Sequence, residues 1–288
     1  MIGQENLKRL VKQQIEDNTF PRFSIFVGDK GSGKRTFIND VIHPLKSDSI
    51  LYILEDVKVE TIRNMIAQAY RSFNTIFVIP NADDMSQAAK NALLKIVEEP
   101  CNNHYFIMTL EDTENTLATI RSRGSIYKMD KYSEDEIKQY ITEVMFQEFG
   151  ITDKPEQENK VIDLIVDLAV TPGEAQQFWH SNVFEFYKYV KQVIDNINEV
   201  STTNALKIPI KIITKDGEDG YDLKLFLRMF SKICVDRAIK AATLDSEKEA
   251  IKYCLWAKKT NKFIRELKIK GSNKSMLINN WILTIREI

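Results

Sequence analysis

A glycine-rich stretch at residues 28–36, with the sequence GDKGSGKRT, has the residue types and spacing to bind a phosphate. An apolar run at 23–27 precedes it and a helical pattern follows, which is the strand–loop–helix setting of a P-loop. Its glycines allow the backbone to turn tightly and point N–H groups at a phosphate, and the positive end of the following helix strengthens that field. The residues predicted to contact the phosphates of a nucleotide are Gly28, Gly31, Ser32, Gly33, Lys34, Arg35 and Thr36.

The same loop lacks the residue that normally contacts the metal ion of a nucleotide. A P-loop has Ser or Thr directly after its lysine, where the hydroxyl binds Mg²⁺. In this chain Arg35 follows Lys34, and Thr36 comes one residue late. The sequence therefore predicts a phosphate cradle, vestigial or still in use, without its metal ligand. It leaves open whether ATP or ADP binds, and we expect Mg²⁺ only together with a bound nucleotide.

A later strand of a P-loop ATPase usually ends in acidic residues that hold Mg²⁺ and orient the attacking water. Here the apolar run at 75–79 is followed by Pro80 and Asn81, neither of which can act as a general base. Asp83 and Asp84 come three and four residues late. We expect them in a solvated loop rather than at the phosphates, although a metal-binding role is the alternative.

The elements that must position the loop alternate between apolar runs of strand length and amphipathic helices. Strands are predicted at 23–27, 51–54, 75–79, 105–109 and 125–129. Helices are predicted at 5–17, 34–42, 60–73 and 87–98, the last capped by Ser86. Continuous apolar runs are typical of strands buried on both faces of a parallel sheet, so residues 1–130 are predicted to form an α/β domain.

Beyond residue 130 the pattern is mainly helical. Ser133 is predicted to cap a helix whose first turn is acidic. Further helices are predicted at 156–170, from about 174, and at 183–199, 221–243, 247–267 and 274–287, with a short strand at 208–213. The predicted architecture is α/β followed by all-α: a domain at 1–130, a small helical domain at 131–181 and a helical domain at 182–288.

The composition of the 288 residues excludes several classes of protein. Net charge is −1, which does not favour strong independent DNA binding. The three cysteines are scattered without CxxC spacing, so neither zinc nor a disulfide framework is expected. The chain opens without a secretion signal and has no apolar run of membrane-spanning length, so we expect a cytoplasmic protein without a membrane partner.

Residues 82–100 resemble a block that follows the second nucleotide motif in AAA+ clamp loader subunits. They contain Ala-Asp-Asp-Met at 82–85, Asn-Ala-Leu-Leu-Lys at 91–95 and Glu-Glu-Pro at 98–100. Thr-Ile-Arg-Ser-Arg at 119–123 resembles the Ser-Arg-Cys motif, in the form found in bacterial delta-prime subunits. The resemblance covers roughly residues 1–178. It implies an AAA+ P-loop domain with a parallel sheet, a small helical lid and a C-terminal helical collar.

The chain departs from this family at the positions that carry ATP hydrolysis. The family's metal-binding Ser or Thr corresponds to Arg35, its acidic pair to Pro80 and Asn81, its first sensor to Leu110 and its second sensor arginine to Glu174. A four-cysteine zinc module is also missing, since the stretch at 43–50 has no cysteine. The departures imply that the chain's own ATPase is lost or very weak, with no catalytic residue in cis.

Arg123 matches the arginine of the family's Ser-Arg-Cys motif. The resemblance implies an arginine finger, which reaches the ATP site of a neighbouring subunit. An exposed arginine after a helical turn is the simpler alternative. Arg121 is a competing candidate, because an extended segment would place it on the same side as Arg123.

The resemblance implies a delta-prime-like subunit, whose partners are gamma/tau-type and delta-type clamp loader subunits. The sliding clamp and primer–template DNA would be contacted through the complex. One alternative is an ATP-hydrolysing motor subunit of the gamma/tau or replication factor C small-subunit type. Another is an AAA+ protein outside replication.

Overall fold

The computed structural model describes residues 1–101, 103–145, 156–181, 183–199, 201, 223–267 and 274–288. The chain divides into two compact units, Met1–Asp153 with Ala169–Gln176, and Lys154–Leu168 with Gln177–Ile288. The three-domain division predicted from sequence stays a prediction. The predicted strand at 208–213 lies outside the described residues.

The first unit is built on a five-stranded parallel sheet with the strand order β2-β3-β4-β1-β5. The strands are β1 (Phe23–Val27), β2 (Ile50–Ile53), β3 (Thr75–Ile79), β4 (Tyr105–Leu110) and β5 (Ser125–Lys128). In the register of the sheet, Phe23 lies opposite Phe106 and Ser24 lies opposite Ser125. Because β1 lies between β4 and β5, the loop after β1 emerges at an interior position of the sheet's carboxyl edge.

Seven α-helices accompany the sheet within the described part of this unit. They are α1 (Glu5–Glu16), α2 (Lys34–Phe37), α3 (His43–Leu45), α4 (Val59–Ala69), α5 (Gln87–Glu98), α6 (Ala118–Arg121) and α7 (Glu134–Gln139). A π-helical turn at Ile38–Ile42 joins α2 to α3. The two predicted caps are confirmed: Ser86 accepts the N–H of Ala89 at 3.2 Å, and Ser133 forms a capping box with Glu136.

Apolar side chains cover both faces of the sheet, as the uninterrupted apolar runs predicted. All five residues of β3 and all six of β4 are buried. On one face the sheet packs against buried residues of α1 and of the helix that follows the glycine-rich loop: Leu7, Val11, Ile15, Phe37, Ile38 and Ile42. On the other it packs against buried residues of α4 and α5: Ile62, Met65, Ala69, Ala89, Leu93, Ile96 and Val97.

Several element ends differ from the sequence prediction. The helix predicted to stop at residue 42 continues through Pro44 to Leu45, because the preceding π-helical turn changes the hydrogen-bond pattern that a proline would interrupt. The helix predicted at 60–73 ends at Ala69, where the chain turns toward Asn74 in a left-handed conformation (φ 48°). The helix predicted from about residue 174 begins at Pro172, because proline suits the first turn of a helix.

The helices beyond residue 155 are α8 (Glu156–Leu168), α9 (Pro172–His180), α10 (Val183–Asn196), α11 (Leu223–Thr243), α12 (Glu247–Glu266) and α13 (Lys274–Arg286). In the second unit, α11 and α12 form an antiparallel hairpin. Trp281 of α13 packs on Phe230 with ring centroids 5.0 Å apart, and its Nε1 donates to the hydroxyl of Thr260 at 3.1 Å. The described part of this unit is all-helical, as predicted. Within the described residues, no helix combines the length and apolar character that crossing a membrane requires.

Candidate functional site

A pocket of about 460 Å³ contains the glycine-rich loop at the carboxyl edge of the sheet. Its volume is typical of small-molecule sites. Six of the seven predicted phosphate-contacting residues line it: Gly31, Ser32, Gly33, Lys34, Arg35 and Thr36. Gly28 lies outside the lining. Ile2, Tyr132, Tyr140 and Val144 add apolar and aromatic surface to the same pocket, so it offers both a polar and an apolar region.

The loop has the backbone shape that a phosphate cradle requires. Gly31 and Gly33 have φ values of 78° and 80°, a left-handed conformation that glycine adopts without strain. Gly33 directly precedes α2, whose first N–H groups have no acceptor within the helix. A phosphate-bearing group therefore fits the cradle, and the following helix would favour its negative charge.

Lys34 is buried and bonded to its own loop. Its ammonium donates to the carbonyl of Gly28 at 2.6 Å and to that of Asp29 at 3.0 Å. Burial lowers the pKa of Lys34, and the nearby carboxylates of Glu111, Asp83 and Asp29 oppose that effect. An ammonium has three donors. Two of them hold the loop closed on itself, and a bound phosphate would use the third or replace these contacts.

The turn before α9 fastens the outer side of the loop. The Thr171 hydroxyl donates to the carbonyl of Lys30 at 3.1 Å, and the N–H of Gly173 donates to the carbonyl of Gly31 at 3.0 Å. A Cβ atom added to Gly173 would lie 2.5 Å from the Cα of Gly31, so the two backbones touch. These contacts stabilise the loop without a bound phosphate.

Tyr132 holds the next peptide of the loop. Its hydroxyl donates to the carbonyl of Ser32 at 2.9 Å, and burial raises the pKa of Tyr132. The amide of Gln4 bonds both the N–H and the carbonyl of Asp130 at 2.7 and 2.8 Å. The chain around residues 130–132 is thus anchored beside the loop. The sequence did not reveal the contacts of Tyr132 and Thr171 with the loop, since no local motif announces contacts 100 and 141 residues apart.

At the positions where a P-loop ATPase holds Mg²⁺ this pocket has other residues, and the carboxylates in its lining are those of Asp40 and Glu111. Arg35 and Thr36 are exposed and line it, and so do Pro80 and Asn81 at the end of β3. Arg35 places a cation where the metal's hydroxyl ligand would be, and neither Pro80 nor Asn81 supplies a carboxylate. Within the described residues, no cluster of three or more His, Cys, Asp or Glu side chains could hold a metal ion.

Asp83 has a structural role that the sequence did not reveal. Its carboxylate accepts the N–H groups of Glu111 and Asp112 at 2.7 and 3.3 Å, and the Asn115 amide at 3.1 Å. The expected solvated loop is therefore wrong for Asp83, which is half-buried and caps the segment after β4. Asp84 is exposed, as expected.

Leu110 and Glu174, the positions that the resemblance assigns to the two sensors, do not line the pocket. Leu110 is fully buried in the core, while Thr109 and Glu111 on either side of it line the pocket. The Glu174 carboxylate accepts the N–H of Val170 at 3.1 Å, and the Glu174 N–H donates to the Thr171 hydroxyl at 3.2 Å. The Glu174 carboxylate is thus engaged at the start of α9.

Arg123 lies on the surface after α6. Its guanidinium donates to the carbonyl of Thr119 at 2.7 Å and pairs with the carboxylate of Glu98. Arg121 is the last residue of α6, so the segment is helical. The extended geometry that would place both arginines on one side is absent from this described segment.

Arg123 and the glycine-rich loop lie at opposite edges of the sheet: Arg123 at the edge where the parallel strands begin, and the loop at the edge where they end. Arg123 comes two residues before Ser125, which pairs with Ser24 near the start of β1, whereas Gly28 follows the end of β1. A Cβ atom on Gly124 would lie 2.9 Å from the Phe23 ring, which confirms this placement. Four residues of strand at about 3.3 Å each separate the edges by roughly 13 Å.

Comparisons with known proteins match parts of this chain. The family model for "DNA polymerase III, delta subunit" matches residues 40–133. A DNA polymerase III subunit delta' from Haemophilus influenzae is 34% identical over 85 residues, 28% of this chain and 26% of that protein. DNA polymerase III subunit gamma from Buchnera aphidicola is 28% identical over 186 residues, 61% of this chain and 48% of that protein. Over the matched residues, the chain is similar to clamp loader subunits of DNA polymerase III.

The similarity to these relatives is partial. The chain spans about a quarter of the delta' relative and about half of the gamma relative. A solved structure of a RuvB mutant from Thermotoga maritima has a TM-score of 0.50 and 17% identity, covering 89% of this chain and 88% of that one. At that identity the likeness supports the AAA+ fold alone.

Proposed function

We propose that this chain is the delta-prime-like subunit of a replication clamp loader. It hydrolyses little or no ATP itself and provides Arg123 to the ATP site of a neighbouring subunit. Its partners would be gamma/tau-type and delta-type subunits, in a cytoplasmic complex that loads a sliding clamp on primer–template DNA. The delta' and gamma relatives support this assignment over an AAA+ protein outside replication.

The separation between Arg123 and the chain's own phosphate cradle carries this proposal. The two lie at opposite edges of the sheet, so the guanidinium has no route to a phosphate bound in the same chain. The cradle in turn has Arg35, Pro80 and Asn81 where a P-loop ATPase has its metal ligands. An arginine finger that is remote from the phosphate site of its own chain suits action on the ATP site of a second subunit.

The chemistry would be electrostatic. As a phosphoryl group transfers, negative charge develops on its oxygens, and a guanidinium from the adjacent subunit offsets that charge. Arginine suits this task because its planar N–H groups can bond two oxygens at once. Arg123 therefore acts on the rate of hydrolysis next door, while the neighbour supplies the metal ion and the water.

A motor subunit of the gamma/tau or replication factor C small-subunit type is the second candidate, which Lys34 in a well-formed loop favours. Steady-state hydrolysis by the purified chain discriminates the two. We expect the wild-type chain to be no faster than its Lys34→Ala variant, because the groups that hold Mg²⁺ and the water are missing. A measurable turnover that Lys34→Ala abolishes would establish the motor function and reject ours.

A further inference from the structure

The Arg123 side chain is fixed by two acceptors at once. One terminal nitrogen donates to the Thr119 carbonyl at 2.7 Å, and the other pairs with the Glu98 carboxylate. The Arg123 side chain is nevertheless 35% exposed. A guanidinium carries five N–H donors in one plane, so the remaining donors are available to a group that approaches from outside.

Glu98 is itself held in place by the helix that carries it. It is the last residue of α5, which Ser86 caps at the other end. Directly before Glu98, Ile96 and Val97 are buried in the core between α5 and the sheet. Glu98 and the neighbouring Glu99 are both exposed, and Glu99 lies beyond the helix. The packing of α5 therefore fixes the backbone position from which the Glu98 side chain extends.

From this geometry we propose that Glu98 is a positioning residue that orients the Arg123 guanidinium for the neighbouring subunit. The inference rests on the finger role proposed above. Together with the Thr119 carbonyl, the carboxylate defines the guanidinium plane and so the direction of the free donors. Exposed ion pairs contribute little to stability, so the pair's effect lies in orientation rather than in folding.

The test is the ATPase of the assembled clamp loader containing Glu98→Ala, with Glu99→Ala as the matched control. We expect Glu98→Ala to lower kcat about tenfold with an unchanged KM for ATP, because small displacements of a catalytic group cost rate rather than binding. Glu98→Gln keeps an oxygen acceptor at the same place and should retain more activity. Glu99→Ala should match the wild type.

A double-mutant cycle isolates the proposed coupling. In an Arg123→Ala background, Glu98→Ala should cause no further loss. A further loss there, or wild-type activity of Glu98→Ala while Arg123→Ala is impaired, would overturn the positioning role. If Arg123→Ala itself had wild-type activity, the finger role would be overturned instead. The melting temperature of each isolated variant checks that it is folded.

Discussion

At the scale of single residues, the glycine-rich loop combines an intact lysine with an arginine where a P-loop usually has Ser or Thr. Lys34 is closed onto the Gly28 and Asp29 carbonyls, and Arg35 occupies the position of a metal ligand. A nucleotide in this pocket would thus be held by backbone N–H groups and Lys34. Its binding should not depend on a divalent ion.

The predicted outcome is a thermal shift by ATP that is the same with Mg²⁺ as with EDTA. The reason is that no carboxylate from β3 and no hydroxyl directly after Lys34 is available to the metal. The measurement is the melting temperature of the chain across an ATP titration in both buffers. A nucleotide affinity that rises about tenfold with Mg²⁺, or 1.4 kcal/mol, would contradict this reading of the pocket.

Gly173 offers a second residue-scale prediction. A Cβ atom at this position would lie 2.5 Å from the Gly31 Cα, so the two backbones would have to separate. We expect Gly173→Ala to destabilise the chain by about 1–3 kcal/mol, because a close-packed contact becomes overfilled. Chemical denaturation measures the loss. Gln176→Ala in the same helix is the control, and an equal effect of both variants would contradict the close approach.

At the scale of elements, His104 joins the end of α4 to the sheet. The N–H of Thr75 at the start of β3 donates to its Nδ1 at 3.0 Å. The proton is therefore on Nε2, which donates to the Ala69 carbonyl at 2.8 Å and the Ser72 carbonyl at 3.1 Å. The ring is fully buried, so these backbone groups depend on it.

Replacing His104 with Phe should keep the apolar packing but leave buried backbone groups without partners. We expect His104→Phe to lower the free energy of unfolding by about 2–4 kcal/mol. The midpoint of denaturation measures this change. His43→Phe, at a half-exposed position, should change stability by less than about 0.5 kcal/mol. A His104→Phe variant as stable as wild type would contradict the role of the ring.

Cys234 tests the packing of α11. Burial raises the pKa of Cys234 to about 12, so almost none of it is thiolate at pH 8. The thiolate is the reactive form of cysteine. Unlike Cys234, Cys254 is exposed on α12. A thiol reagent at pH 8 should label Cys254 quickly and Cys234 only after unfolding. Mass spectrometry of labelled peptides checks this order, and rapid labelling of Cys234 would show that the hairpin is open.

The elements were largely predictable because their signals are local. Uninterrupted apolar runs located all five strands to within about a residue at either end, and Ser86 and Ser133 were recognised as caps. Element ends were less predictable where backbone geometry overrode periodicity. The π-helical turn before Pro44 is an example, because nothing in the spacing of apolar residues announces it.

The candidate site was predictable only in its contiguous part. The GxGK core located the cradle, but the contacts of Thr171 and Tyr132 with it join residues more than 90 positions apart. Such pairings depend on how the chain folds back. The same reason explains Asp83, whose partners come from the segment after β4 and not from its own turn.

At the scale of the whole molecule, the proposed account separates two functions that a motor subunit combines. The cradle lies at the carboxyl edge of the sheet and has Arg35, Pro80 and Asn81 at the usual metal-ligand positions, whereas Arg123 lies at the opposite edge on the surface. In an assembly, the edge with the cradle would face away from any active ATP site, whereas the edge with Arg123 would complete one. The chain would then contribute to ATP hydrolysis at a neighbouring subunit without hydrolysing ATP itself.

The most direct test of this account is the DNA-stimulated ATPase rate of the assembled clamp loader carrying Arg123→Ala. We expect a fall of about tenfold or more at the adjacent site, because the guanidinium that offsets phosphoryl charge is gone. Assembly should be unaffected, and Arg121→Ala should match the wild type. A wild-type rate with Arg123→Ala, in a complex of normal composition, would contradict the central claim.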